Sequence, residues 1–148
     1  MKKIILILSL CLSLLGLSSI TYAAEWKWIT STDVMTISFD ENSIRKSDRN
    51  KYFVWIKSEF TESEGVKESN RLKLAEPISY QLIRWEFDYK NESHRLQTAV
   101  MYGKDGTVLS KYTDKSSLAR FEPIIPGSIV EAIFYATFAE YQNKYGKV

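Results

Sequence analysis

The stretch SYQLIRWEFDY, residues 79–89, decides the fold. Ile83, Trp85, Phe87 and Tyr89 alternate with Leu82, Arg84, Glu86 and Asp88. A period of two is the signature of a β-strand with one apolar and one mixed face. The polar set, continued by Lys90, carries both signs and reads as a solvated face. Lys90 to Ser93 then reads as a tight reversal and His94 to Tyr102 as the returning strand. Asp105-Gly106 supplies the positive-φ residue that a hairpin turn favours, so Thr107 to Tyr112 completes a three-strand meander.

Upstream, Lys51 to Thr61 alternates in the same way. Tyr52, Val54, Ile56 and Phe60 point to one side, and Lys51, Phe53, Trp55, Lys57 and Glu59 to the other. Trp26 to Ser31 and Val34 to Phe39 read as two further strands. Asp40 to Ser43 reads as a turn or short helical turn capped by Asp40, and Ser47 to Asn50 as another turn. Glu62 to Lys73 is polar and contains Gly65, which reads as a mobile loop and a candidate contact site.

At the far end the period changes. Ser128 and Glu131 have the spacing of a capping box, in which each side chain satisfies a free backbone N–H. Val130, Ile133, Phe134, Thr137, Phe138 and Tyr141 then fall on one helical stripe, predicting a helix from Ile129 to about Asn143 with Gly146 as its stop. Strands followed by a single helix make an α+β domain: an antiparallel sheet of about five to six strands with the C-terminal helix packed on one face. Ala132, Tyr135, Ala136 and Ala139 widen the apolar stripe beyond what one contact needs. The back of the helix, around Tyr135, is therefore a candidate protein contact, including a homodimer.

The first 23 residues read differently. Met1-Lys2-Lys3 is a basic start, Ile4 to Leu17 is almost wholly apolar, and Thr21-Tyr22-Ala23 offers the small residues a signal peptidase reads. Cleavage after Ala23 is expected, leaving one domain over residues 24–148, exported to the periplasm, the cell surface or the medium. The apolar run is shorter than the ~20 residues of a spanning helix. Without Lys2 and Lys3 the chain holds 18 basic and 18 acidic residues, a balance that points away from nucleic acid and anionic membranes. The single cysteine, Cys11, lies in the export segment, so the mature domain has no thiol for catalysis, metal binding or a disulfide.

The chain resembles the surface-adhesin protein E-like family of small exported bacterial proteins. The resemblance rests on Trp26 or Trp28 near the mature start, on Phe39-Asp40-Glu41-Asn42-Ser43-Ile44, and on Val54-Trp55-Ile56-Lys57. It continues through Glu86-Phe87-Asp88-Tyr89-Lys90, the Asp105-Gly106 turn and Phe121-Glu122-Pro123-Ile124-Ile125-Pro126-Gly127-Ser128. It implies an adhesin-like fold and role in binding proteins. It also implies that Tyr89 and Phe138 occupy the positions of two family cysteines, and hence that their rings should touch in place of a disulfide.

Candidates for chemistry are few. His94 is the only histidine and reads as a surface residue at a strand start. Ser128 is explained by its cap. Glu86 and Asp88 are spaced like a glycosidase pair, but Arg84 and Lys90 on the same face give the plainer reading of solvated charges. No cofactor or metal motif is present. The residues singled out as structural or interacting are Trp55, Trp85, Phe87, Tyr89, Ser128, Glu131, Tyr135 and Phe138. The expectation is a non-enzymatic interaction or adhesin-like domain. A periplasmic inhibitor or small-ligand-binding protein is the alternative, and a small hydrolase the weaker one. Aromatic residues emerging on an open sheet face would make a protein- or glycan-binding patch.

Overall fold

A computed structural model describes residues 23–114 and 120–147. The apolar segment read as an export signal, and most of the polar Asp114–Arg120 connection, lie outside the described residues. The strands are β1 (Trp26–Ser31), β2 (Met35–Asp40), β3 (Arg45–Asp48), β4 (Lys51–Phe60), β5 (Tyr80–Asp88), β6 (Ser93–Tyr102), β7 (Val108–Thr113) and β8 (Glu122–Pro123). The helices are α1 (Glu62–Leu72) and α2 (Ile129–Tyr145), and a 3₁₀ turn spans Glu41–Ser43. All pairings are antiparallel, in the order β1-β2-β4-β5-β6-β7, with β3 added along β4 and β8 along β6.

The expected α+β architecture holds, with two strands more than the upper estimate. β3 and β8 are the additions. Neither alternates in hydropathy, because Arg45-Lys46-Ser47-Asp48 and Glu122-Pro123 are held by backbone pairing to a neighbour rather than by a buried face. The Asp40 cap forms as read, its carboxylate accepting from the Asn42 N–H at 3.0 Å.

The core lies between α2 and one face of the sheet. Ile37 and Phe39 from β2, Tyr52, Val54 and Ile56 from β4, and Phe87 from β5 are all buried there with Ile133, Phe134 and Tyr141 of α2. The helix begins where Ser128 Oγ accepts from the Glu131 N–H at 3.2 Å. The Glu131 carboxylate closes its half of the cap on the Gly127 N–H, at 2.8 Å, one residue earlier than a standard capping box. Gly146, at φ 88°, ends the helix with its N–H on the Gln142 carbonyl.

The implied contact is present: the Tyr89 and Phe138 rings stack with centroids 5.2 Å apart. Tyr52 stands at the centre, stacked on Phe87 at 5.5 Å and on Tyr141 at 4.9 Å. Its hydroxyl meets Thr137 Oγ1 at 2.9 Å, and Thr137 donates in turn to the Ile133 carbonyl. Burial pushes the Tyr52 phenol far up from its ordinary pKa. At the helix end, Lys27 of β1 bridges Glu41 at 2.7 Å and Glu140 of α2 at 3.1 Å.

The Glu62–Lys73 segment is a helix, which corrects its reading as a loop. Glu62 and Glu64 lie in its first turn and Arg71 in its last, complementing the helix dipole. Glu64–Lys67 and Glu68–Arg71 ion pairs line its exposed side. Gly65 is not a loop signal but a docking point. A Cβ placed there would lie 2.0 Å from the Ile78 carbonyl oxygen, while Ser69 Oγ accepts from the Ile78 N–H at 2.8 Å.

Gly65→Ala should therefore push α1 off the Ile78 strap and cost roughly 1–3 kcal/mol, the usual range for overpacking. Val66→Ala, at a 40% exposed position, should change stability by no more than about 0.5 kcal/mol. Paired thermal melts followed by circular dichroism measure both, and equal melting temperatures would refute the docking role.

Candidate interaction surface

The sheet has two faces, and the described residues cover them unequally. Among the singled-out residues, Trp85, Phe87, Tyr89 and Phe138 come together beneath or within α2. Ser128 and Glu131 sit at its cap, and Tyr135 points away from the core at 56% exposure. Trp55 belongs to the opposite face, beside its register partner Arg84. α2 binds the other face, and α1 docks through Gly65 and Ser69 on the chain at Ile78.

That opposite face is an aromatic and cationic platform. The Arg84 guanidinium lies 4.2 Å from the centroid of Phe53. Lys57 Nζ lies 5.2 Å from the Tyr80 ring and 5.9 Å from Trp26, and pairs with Glu59 at 2.8 Å. Tyr80 and Tyr102 stack across β5 and β6 at 4.6 Å. Trp28 is 66% exposed, its indole N–H donating to Ser31 Oγ. Cations over aromatic rings hold flat, partly dry surfaces that keep their charge available to a partner. Phe53, Lys57, Tyr80 and Arg84 were not among the singled-out residues. The period-two alternation of β4 and β5 already put Phe53, Lys57 and Arg84 on the face of Trp55, and that was the signal for them.

Toward β6 the same face closes. Glu86 is buried at 3% exposure and accepts from Ser47 Oγ, from Arg95 Nε at 2.5 Å and from Gln97 Nε2 at 3.2 Å. Phe121 covers the Arg95 guanidinium at 4.8 Å. Asp88 is buried too, bonded to the Lys90 and Asn91 N–H groups in the reversal. Reading these two carboxylates as solvated is thus corrected: neighbouring side chains and turn amides replace water. Glu86 is held by the arginine on the adjacent strand, and Asp88 by its own turn, so the two serve separate structural roles.

His94 is also buried, at 8% exposure, rather than on the surface. Opposite Phe87 in the register, it faces the α2 side and lies 4.7 Å from the Trp85 ring. With Trp85, Arg95, Leu96, Tyr112, Asp114, Arg120 and Glu122 it lines a cavity of about 470 Å³. Burial lowers the imidazole pKa, while the Glu122 carboxylate and backbone pull the other way. Among the described residues no group of three His, Cys, Asp or Glu side chains is arranged to hold a metal.

A histidine with a folded pKa below its unfolded value of about 6.5 binds fewer protons in the fold. Its contribution to stability is therefore present above that value and is lost as the pH falls through the folded pKa. The melting temperature should drop between pH 8 and pH 5.5, and His94→Leu should flatten that part of the profile. An unchanged slope in the variant would assign the acid sensitivity to other groups.

Against known proteins, the model of a family described as surface-adhesin protein E matches residues 26–137. No curated protein matches the chain, and no solved structure does.

Proposed function

The chain belongs to the surface-adhesin protein E family, and from that premise we propose that it is an exported, non-enzymatic domain that binds proteins at the bacterial envelope or cell surface through the platform of Trp28, Phe53, Trp55, Lys57 and Arg84. The family points to a surface, adhesin-like role. The observation that carries the finer reading is the pairing of exposed or half-buried aromatic rings with cations on the sheet face opposite α2. Trp, Tyr and Arg are the residues that most often anchor protein interfaces, because they bury large rigid areas at low entropic cost. The cations favour a partner with an acidic patch. No helix among the described residues is long and apolar enough to cross a membrane.

The test is adhesion of cells displaying the protein to immobilised matrix and serum proteins. Trp28→Ala with Arg84→Glu should reduce binding by about tenfold or more, the scale of a lost hot spot, with the melting temperature little changed. Undiminished binding by a folded double variant would remove the platform from the interface.

A second reading, self-association through the back of α2, rests on its own observation. Ile129 and Tyr135 are 40% and 56% exposed, Ala132 and Ala139 lie beside them, and Ile125 just before the helix is 67% exposed. Such a stripe fits a contact between two helices. Light scattering on the mature protein should give a dimer mass that Tyr135→Glu converts to a monomer; a monomer mass for the unaltered protein would eliminate this reading.

A further inference from the structure

A cavity of about 320 Å³ opens where β4 gives way to α1 and where the β6–β7 turn approaches the segment before β5. Phe60, Pro77 and Ile78 supply its apolar lining, and Glu62, Glu76 and Lys104 line it as well. Ile78 is buried and Phe60 half-buried, whereas the three charged residues are exposed, so a molecule entering from solvent meets them first. The backbone beneath is fixed by pairing. The Phe60 N–H donates to the Ser79 carbonyl at 2.9 Å, and the Ser79 N–H to the Tyr102 carbonyl at 2.8 Å. Ser69 of α1 holds the Ile78 N–H. The hollow is therefore largely pre-formed, as small-ligand sites usually are.

The charges of this cavity are all available. Among the described residues, the side chains of Glu62, Glu76 and Lys104 form no ion pair and no hydrogen bond. Glu76 and Lys104 stay apart even though the Glu76 carboxylate lies against the residue next to Lys104: a Cβ placed on Gly103 would lie 3.2 Å from Glu76 Oε2. Further along α1 the exposed charges are paired, Glu64 with Lys67 and Glu68 with Arg71. Two carboxylates and one ammonium beside an apolar lining restrict what can bind. A neutral apolar molecule would strip water from three charges and replace it with nothing. An anion would face two carboxylates, and a cation would leave Lys104 facing a like charge. A zwitterion answers all three. Its ammonium has donors for both carboxylates, and its own carboxylate pairs with Lys104. The apolar lining calls for an apolar group on that zwitterion, and about 320 Å³, at the small end of ligand pockets, suits a molecule of amino-acid size.

We propose that this cavity binds a free α-amino acid with an apolar side chain, its ammonium held by Glu62 and Glu76, its carboxylate by Lys104, and its side chain laid on Phe60, Pro77 and Ile78. An internal peptide residue lacks both charges, so the site selects the free amino acid over a polypeptide. It shares no residue with the protein-binding platform and adds a small-molecule function to the domain.

The test is a ¹H–¹⁵N NMR titration of the mature protein with L-phenylalanine and L-leucine up to about 50 mM, since millimolar affinities are expected from a few exposed contacts. The amides of Phe60, Ile78, Ser79 and Gly103 should shift saturably with at least one of them. Analogues that keep the side chain and lose one charge are run in parallel. Phenethylamine and isopentylamine lack the carboxylate; 3-phenylpropanoate and 4-methylpentanoate lack the ammonium. Each should bind at least about threefold more weakly than its parent amino acid, the scale of a lost exposed charge pair. Glu76→Gln and Lys104→Met, both at exposed positions, should keep the melting temperature and each weaken amino-acid binding about threefold to fivefold. No saturable shift with either amino acid would overturn the proposal. So would an amine that binds as tightly as its parent, which marks a simple cation site, or a carboxylate analogue that does so, which marks an anion or purely apolar site. Amino-acid binding that both variants leave unchanged would place the ligand elsewhere and overturn it as well.

Discussion

The stacking of α2 on the central strands through aromatic rings is the contact on which the fold depends. Tyr52 touches Phe87, Phe138 and Tyr141, and Phe138 touches Tyr89, Phe134 and Tyr141. Each such pair contributes about 0.5–1.5 kcal/mol beyond the area it buries. A disulfide typically contributes about 2–4 kcal/mol. The ring contacts that cross from sheet to helix, Tyr52 and Tyr89 each with Phe138 and Tyr141, and Phe87 with Phe134, are together of the size needed to join the two layers without a covalent link. The only cysteine, Cys11, precedes the domain.

Once α2 covers one face, the rest of the architecture follows from what is left exposed. On the opposite face cations or neighbouring rings shelter several of the aromatic side chains: Arg84 over Phe53, Lys57 beside Trp26 and Tyr80 on Tyr102. The same economy operates at Glu86, whose carboxylate is buried only because Ser47, Arg95 and Gln97 supply its hydrogen bonds. A protein that binds through one face of a sheet gains from this arrangement. The helix fixes the curvature and position of the strands from behind, so the contact side chains stand on a rigid base.

The two proposed contact regions differ in kind. The platform is broad and shallow, and its chemistry suits a protein surface. The back of α2, around Tyr135, is a narrow apolar stripe that suits a second helix. The platform lies on the long antiparallel strands, where register fixes the side chains to within one residue position.

Much of this was written in the sequence. The period-two runs at 51–61 and 79–89 fixed the strands and sorted their side chains to two faces, and the stripe from Val130 to Tyr141 fixed the helix and its buried edge. Those patterns are local, so they survive without knowledge of the fold. The Tyr89–Phe138 contact was legible through the family resemblance alone, since residues so far apart in sequence leave no periodic trace. What only the tertiary structure decided were the partners of polar groups. Gly65 became a helix contact because Ile78 approaches it, Glu86 and Asp88 became buried because neighbouring strands and a turn satisfy them, and His94 left the surface because its register partner is Phe87. A charged or polar residue carries no sign in its own sequence of whether water or another side chain will solvate it; long-range pairing settles that, and the chain shows it only when folded.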